Sequence, residues 1–418
     1  MRFPTVAAWL AWQQAAHPVE IDPGLARVGA VWERLATPLN AVVLAVGGTN
    51  GKGSVTASLE ATLAAAGYGT GLFTSPHLVR YNERILVRGR IVADAELLEA
   101  FAAIDAARGD VSLTFFEWNT LAAFIVFARA GVDAAVLEVG MGGRLDAVNL
   151  LDADAAAVVS VGLDHREWLG DTVEAIGREK AGIFRSGRPA ICGARRPPKS
   201  IVAHAAAIGA RLKRIGTDFD FVERADGWDY VGFGSRRREL PLPGIAGSAQ
   251  LGNAAVALAM LEAVEPKLLV PDAAVRSALA AVRLPGRFQV LPGRPEWILD
   301  VAHNPQAAQA LAASLAARPC KGRTLAVCGI LGDKDIEGIV AALDGQVSRW
   351  IAVGLESARA LPPAALALCI NQAGAASVQA AASVAAGLEQ ARAEMQPEDR
   401  AIVFGSFLTV GPALDLLS

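Results

Sequence analysis

Cysteines are few in this sequence, and their positions are typical of neither a metal site nor a disulfide framework. The 418 residues include four cysteines, and no two of them form a CxxC pair. They are Cys192, Cys320, Cys328 and Cys369. Structural zinc sites and disulfide frameworks need cysteines at short, regular spacings. We therefore expect neither, and the cysteine content favours a reducing compartment, the cytoplasm.

Long apolar segments and a strong net charge are absent as well. Hydrophobic residues make up 53% of the chain, yet no segment approaches the roughly 20 uninterrupted apolar residues of a membrane-spanning helix. The stretch Val6–Trp12 is interrupted by tryptophans and lacks a signal-peptide cleavage pattern, so it predicts an amphipathic helix. A net charge of −3 gives no basic footprint for a polyanion. We therefore expect neither a membrane nor nucleic acid as a partner.

The sequence does contain a regular alternation of strand and helix patterns. Val42–Val46, Ala134–Val139 and Ala155–Val161 are short apolar runs, which are typical of strands buried on both faces. Helical patterns separate these runs, and such alternation predicts an α/β fold with a mainly parallel, doubly wound sheet. Arg211–Leu242 is more polar and contains aromatic residues, which predicts a small antiparallel side sheet.

A second region of strand and helix alternation begins near Trp297, and it predicts a Rossmann-like α/β domain. Its predicted strands are Ile298–Val301, Thr324–Cys328, Arg349–Val353 and Ala401–Phe404. The proline-containing segment Leu284–Arg294 precedes it and is predicted to be a hinge. We therefore expect two domains, with a P-loop-type sheet in residues 1–287 and the second sheet in residues 288–418.

A glycine-rich segment directly follows the first predicted strand. Gly47–Ser54 reads GGTNGKGS, and a helical pattern starts there. Glycines let backbone N–H groups point at phosphate oxygens, and the helix N-terminus adds partial positive charge. Lys52 would offset phosphate charge during catalysis. The residues expected to contact ATP here are Thr49, Asn50, Gly51, Lys52, Gly53 and Ser54. The alternative is a glycine-rich turn that binds no ligand.

Eight further blocks, spread in order along the chain, accompany this loop. They are Ser75–Leu78, Glu83–Ile85, Leu137–Asp146, Leu163–His165, Trp168–Gly170, Gly177–Phe184, Leu284–Phe288 and Asp300–Pro305. Together with GTNGKGS, these blocks resemble the folylpolyglutamate synthase family of the Mur ligase superfamily. The sequence is most similar to the bacterial type that also has dihydrofolate synthase activity.

Acidic and basic side chains at predicted strand ends provide candidates for metal binding and catalysis. A buried carboxylate such as Glu138 needs a partner, and Mg²⁺ on ATP phosphates would be one. An ion pair with Arg144 is the alternative. The resemblance implies two Mg²⁺ sites, with Ser75, Glu138 and His165 as ligands and His165 also in a catalytic role. It further implies that Lys180 is carbamylated and acts in catalysis.

The resemblance also assigns substrate contacts. It implies ATP contacts from Asn253, Arg287 and Asp300, and a glutamate contact from His303. Its expected pterin contacts are Asp22, Pro23, Gly24, Thr114, Phe115, Phe116, Glu117, Leu145, Asp146 and Ala147. From the residues alone, Thr114 and Glu117 also form a capping-box pattern, in which Glu117 would only satisfy backbone donors at a helix start.

The activity implied by the resemblance is ATP-dependent amide ligation. L-glutamate would be added to dihydropteroate and to folates through an acyl phosphate, by a cytoplasmic monomer. The main alternative is an enzyme that only polyglutamylates folates. A cell-wall or cyanophycin-type ligase is disfavoured by the pterin-side blocks and by Asp300–Pro305. An ATP-binding regulator without catalysis is disfavoured by the complete set of candidate catalytic side chains.

Overall fold

Residues 2–417 are described by a computed structural model, in which the chain divides into two compact units. The first unit contains residues 2–76, 82–244 and 251–282. The second contains residues 77–81, 245–250 and 283–417. In residues 2–417, no helix has the length and apolar character needed to cross a membrane.

An eight-stranded sheet forms the centre of the first unit. Its strands are β1 (Val42–Gly47), β2 (Thr70–Phe73), β3 (Ile85–Val87), β4 (Arg90–Ile91), β5 (Ala134–Glu138), β6 (Ala155–Val158), β7 (Pro189–Cys192) and β8 (Arg211–Arg214). Their order is β4-β3-β2-β5-β1-β6-β7-β8. Strands β3 and β4 are antiparallel to their neighbours, and all other pairs are parallel. The predicted doubly wound sheet is confirmed.

Ten α-helices accompany this sheet in the described residues. They are α1 (Val6–Ala15), α2 (Ala26–Leu35), α3 (Lys52–Ala65), α4 (Asp94–Arg108), α5 (Phe115–Ala130), α6 (Arg166–Leu169), α7 (Val173–Ala181), α8 (Lys199–Ile208), α9 (Gln250–Val264) and α10 (Asp272–Ala281). Helix α5 begins as expected, because Glu117 N donates to Thr114 Oγ1 at 3.2 Å and Thr114 N donates to Glu117 Oε2 at 2.7 Å. Ala93 occupies the N-cap position of α4, and its N–H donates to Glu96 Oε2 at 2.7 Å.

The predicted antiparallel side sheet occupies only part of the segment assigned to it. It consists of β9 (Asp220–Arg224), β10 (Gly227–Val231) and β11 (Arg236–Leu240), in the order β11-β10-β9. The first residues of the segment, Arg211–Arg214, instead extend the large sheet as an edge strand parallel to β7. An edge strand is half solvated, so its polar residues did not distinguish it from the side sheet.

The second unit has a six-stranded sheet of its own. Its strands are β12 (Gln289–Leu291), β13 (Glu296–Asp300), β14 (Thr324–Cys328), β15 (Arg349–Val353), β16 (Val378–Ala381) and β17 (Arg400–Phe404), in the order β12-β13-β17-β14-β15-β16. Only β12 pairs antiparallel. The helices are α11 (Pro305–Ala316), α12 (Ile336–Ala342), α13 (Pro363–Gln372), α14 (Val384–Glu394) and α15 (Phe407–Leu417). Apolar clusters line both faces, as a doubly wound sheet requires.

Candidate active site

The carboxyl ends of three neighbouring parallel strands bring the main candidate residues to one edge of the first sheet. Val46 of β1 pairs with Glu138 of β5, and Gly47 pairs with Val158 of β6. The segments after these strands therefore begin side by side. In open α/β sheets, ligands bind outside this edge, beside the point where the strand order reverses.

The predicted phosphate-binding segment Gly47–Ser54, called the phosphate loop below, joins β1 to α3, and its backbone needs glycine. Gly51 has a φ of +86°, and a Cβ atom there would lie 2.6 Å from Asn253 Oδ1. Asn253 thus lies directly against the loop. Lys52 Nζ donates to the carbonyl oxygens of Gly48 at 3.1 Å and Thr49 at 3.4 Å, so the amine lies over the loop. Ser54 is buried in the first turn of α3.

A second loop, after β6, supports the phosphate loop through a reciprocal set of hydrogen bonds. Thr49 N donates to Ser160 O at 2.9 Å, and Asn50 N donates to Ser160 Oγ at 2.9 Å. Gly162 N donates to Thr49 Oγ1 at 3.0 Å. These contacts fix the backbone geometry of the loop before any ligand binds. They also connect it to the segment that carries His165.

Glu138 is only 4% exposed at the end of β5 and accepts a short hydrogen bond from Thr74 Oγ1. Thr74 directly precedes Ser75, so the two predicted metal ligands lie on neighbouring strand ends. Arg144, the alternative partner, forms an ion pair with Glu179 at 3.0 Å. Within residues 2–417, no three His, Cys, Asp or Glu side chains form a cluster suited to a metal ion. The Glu138 carboxylate and the Ser75 hydroxyl are oxygen donors, the type of ligand that Mg²⁺ prefers.

Lys180 on α7 has an amine that is almost completely buried, with 4% of the residue exposed. Burial, reinforced by the charge of Lys52, lowers the pKa of Lys180 to about 7, although Asp164 and Asp146 oppose the shift. Burial also raises the pKa of Asp146 to about 6, against hydrogen bonds from the N–H groups of Met141 and Val148. Two lysines and two aspartates thus influence one another's charge at this site.

Asp164 was missed as a site residue, although the sequence offered a signal for it. It immediately precedes His165 and follows a buried strand, and its Oδ1 accepts a hydrogen bond from His165 N at 3.0 Å. His165 itself has a left-handed backbone conformation, with a φ of +50°, at the start of α6. The bend that Asp164 stabilises therefore determines where the His165 side chain begins.

The expected pterin residues come from three segments of the first unit. Phe116 packs against Gly140, where a Cβ atom would overlap the ring, and its ring centroid is 5.9 Å from that of Phe73. The guanidinium of Arg84 lies 5.6 Å from the Phe115 ring centroid. Leu145, Asp146 and Ala147 follow the segment Gly140–Gly143, which contains three glycines. The Asp22–Gly24 segment is connected to Glu117 through Arg27, which the sequence did not indicate.

In the second unit, three predicted residues gather at the end of β13. Asp300 Oδ2 accepts from Phe288 N and Oδ1 from Ala302 N, both at 2.8 Å. Desolvation raises the pKa of Asp300, and the nearby charge of Arg287 opposes the shift. His303 Nδ1 lies 2.8 Å from Val301 O. Arg287, Asp300 and His303 therefore form one polar cluster within this unit.

Comparisons with known proteins agree with this architecture. The model of the Mur ligase middle domain matches residues 46–261, and that of the Mur ligase glutamate ligase domain matches residues 286–407. A dihydrofolate synthase/folylpolyglutamate synthase of Escherichia coli (strain K12) is 43% identical over 413 residues, which cover 99% of this chain and 95% of that protein. A Mycobacterium tuberculosis relative of the same name is 35% identical, covering 84% and 78%.

Solved structures give the same result. E. coli FolC in complex with DHPP and ADP has a TM-score of 0.94 and 42% identity, and the match covers 99% of this chain and 97% of that one. The bifunctional enzyme of Yersinia pestis complexed with AMPPNP and Mn ion has a TM-score of 0.92 and 43% identity, covering 99% and 98%. This chain belongs to the dihydrofolate synthase/folylpolyglutamate synthase family of Mur ligases.

Proposed function

We propose that this protein is an ATP-dependent ligase that adds L-glutamate to dihydropteroate, giving dihydrofolate, and to folates, giving polyglutamates. The observation that carries the proposal is the strand edge where the phosphate loop, Glu138 and Lys180 meet in a chain that matches bifunctional relatives over almost its whole length. Residues 1–287 would bind ATP and the pterin acid, and residues 288–418 would serve glutamate ligation.

The reaction has two steps. The substrate carboxylate attacks the γ-phosphorus of ATP, the bond to the β-phosphate oxygen breaks, and ADP leaves an acyl phosphate behind. The neutral amine of glutamate then attacks the acyl carbon, loses a proton and expels inorganic phosphate. Lys52 and the backbone N–H groups of the loop offset the charge that develops on the transferred phosphoryl group.

The proposed metal ligands are Ser75, Glu138 and His165, arranged as two Mg²⁺ sites. Mg²⁺ held by these residues would offset the negative charge of the ATP phosphates. The oxygen donors of Ser75 and Glu138 are those that Mg²⁺ prefers, and the Yersinia pestis relative was solved in complex with AMPPNP and a Mn ion. The Thr74 hydroxyl donates a hydrogen bond to Glu138 Oε2 and so orients the carboxylate.

Lys180 is proposed to be carbamylated. Only the neutral amine attacks CO₂, and the reaction forms an N–C bond, releases a proton and leaves an oxygen-donating anion. Burial favours the neutral amine in this fold. The product would exchange an unfavourably buried cation for an anion near Lys52.

The remaining proposals concern the substrate contacts, the oligomeric state and the cellular compartment. Asn253, Arg287 and Asp300 are proposed to hold the nucleotide, and His303 the glutamate. We also propose a monomer as the active form. Four free cysteines suit the reducing cytoplasm, where ATP is abundant.

The decisive experiment assays the purified protein with ATP, L-glutamate and either dihydropteroate or tetrahydrofolate. Product with both pterin acids is expected. Product with tetrahydrofolate alone would establish the polyglutamylating alternative. Absence of glutamate-dependent ADP release with every pterin acid would reject the ligase assignment.

A further inference from the structure

Arg27, in the first turn of α2, joins two segments that are far apart in sequence. Its Nη1 lies 2.6 Å from Asp22 Oδ2, and its Nη2 donates to Asp22 O at 2.6 Å. The same guanidinium reaches Glu117 at the start of α5, with Nη2 3.2 Å from Oε1. All of its hydrogen bonds and ion pairs within residues 2–417 are to Asp22 and Glu117.

The carboxylate of Asp22 also contacts His17, whose side chain is 8% exposed. His17 Nε2 lies 3.2 Å from Asp22 Oδ2, and its Nδ1 lies 3.0 Å from Ser112 Oγ. A carboxylate only accepts hydrogen bonds, so Nε2 carries the proton, and a neutral ring then accepts from the Ser112 hydroxyl at Nδ1. Ser112, His17, Asp22, Arg27 and Glu117 thus form a continuous polar chain.

The two oxygens of Glu117 have different surroundings. Oε2 accepts the hydrogen bond from Thr114 N that completes the cap of α5. Oε1 is buried and lies close to the Arg27 charge, but it accepts no hydrogen bond from any residue in 2–417. A buried acceptor of this kind is costly unless a ligand donor satisfies it. Glu117 can therefore cap the helix with one oxygen and bind substrate with the other.

We propose that Arg27 is a positioning residue for the pterin substrate, which fixes the Asp22–Gly24 loop against Glu117 so that Glu117 Oε1 faces a donor group of the pterin. The inference rests on the proposed function, since it concerns the substrate that this function requires. Its ligand class is a heterocycle with N–H donors, which an ionised carboxylate recognises well.

Arginine is needed here because of its geometry. Its planar fork contacts the carboxylate and the carbonyl of Asp22 and the carboxylate of Glu117 at once, whereas a lysine ammonium is a single point of charge. Arg27→Lys is therefore expected to recover only part of what Arg27→Ala loses. A residue that merely kept positive charge near α2 would be replaced by lysine without loss.

The test is steady-state kinetics of Arg27→Ala with each substrate varied in turn. The KM for dihydropteroate is expected to rise about tenfold, while kcat and the KM values for ATP and L-glutamate change by less than about twofold. Asp22→Asn breaks the same contact from a partly exposed position and should act in the same direction. In the double variant the two effects should be less than additive.

Arg34→Ala is the matched control. Arg34 lies on the same helix but donates to the carbonyl oxygens of Ala107 and Arg108, away from the polar chain. Its loss should leave the KM for dihydropteroate unchanged. An equal rise of all three KM values in Arg27→Ala, or no rise in either Arg27→Ala or Asp22→Asn, would overturn the inference while the wild-type ligase remains active. A wild type without activity would instead reject the proposed function.

Discussion

Lys180 has an amine that the fold removes almost completely from water, and its chemistry follows from that burial. Burial lowers the pKa of Lys180 to about 7, so the neutral amine is far more populated at neutral pH than in an exposed lysine, and its fraction grows as the pH rises. CO₂-depleted enzyme should therefore regain activity when CO₂ is restored, and at the same concentration of dissolved CO₂ it should do so faster at pH 8 than at pH 6. Lys180→Ala should lose at least about a hundredfold in kcat and be partly restored by acetate or formate, which can replace the carbamate oxygens. Full activity of this variant without a short carboxylate would exclude the modification.

Gln13 has a buried side-chain amide whose desolvation costs stability, and no functional role of this amide is apparent. It is 1% exposed on α1, and neither its side-chain nitrogen nor its oxygen has a hydrogen-bond partner among residues 2–417. Gln13→Met keeps the shape and removes the desolvation penalty, so it should stabilise the fold by about 1 kcal/mol. The midpoint of urea unfolding measures this. Gln14→Met, at the exposed neighbouring position, should change stability by less than about 0.5 kcal/mol. A lower midpoint for Gln13→Met would show that the amide does bind a partner.

At the scale of elements, α3 has a glycine with a positive φ angle directly before its first residue and another shortly after its last. Gly51 and Gly67 both have positive φ angles, but a Cβ atom meets Asn253 only at Gly51, whereas the space beside Gly67 is open. Gly67→Ala should cost about 1 kcal/mol of stability from backbone strain and leave the KM for ATP unchanged. Gly51→Ala adds the steric overlap and should raise the KM for ATP at least about tenfold. Equal KM values for the two variants would mean that strain alone matters.

The elements that could be predicted from the sequence are those whose burial leaves a pattern. Thr324–Cys328 and Arg349–Val353 are buried apolar strands, and the structure confirms both boundaries. Strands β12 and β16 were not predicted, because one has three residues and the other has a mostly exposed sequence at a sheet edge. The segment predicted as a hinge contains β12. Short edge strands depend on a neighbour for their hydrogen bonds, and local sequence does not identify that neighbour.

The residues of the candidate site also divide into those that the sequence could predict and those that it could not. The phosphate loop could be predicted because strand, glycines, lysine and helix are contiguous in sequence. The contact between Arg27 and Glu117 joins residues 90 positions apart, and no local spacing indicates it. Carbamylation of Lys180 rested on resemblance alone at the sequence level, because by pattern it is an ordinary helical lysine. Its burial becomes visible only once α7 packs against the strand edge.

At the scale of the whole molecule, nucleotide bound at the phosphate loop should raise the thermal stability of the folded chain. A ligand that binds only the folded state stabilises it by about 2.7 kcal/mol when its concentration is one hundred times its Kd. Mg·ADP should therefore raise the thermal unfolding temperature of the wild type. Lys52→Met removes the amine that lies over the loop, so it should abolish most of this shift. Lys321→Met, at an exposed position in the second unit, should keep the full shift.

Because Glu138 is proposed to act through Mg²⁺, a chelator should reduce the shift in unfolding temperature that Mg·ADP causes in the wild type. In Glu138→Gln, the shift should not depend on the chelator. A shift that survives both Lys52→Met and chelation would place the nucleotide elsewhere.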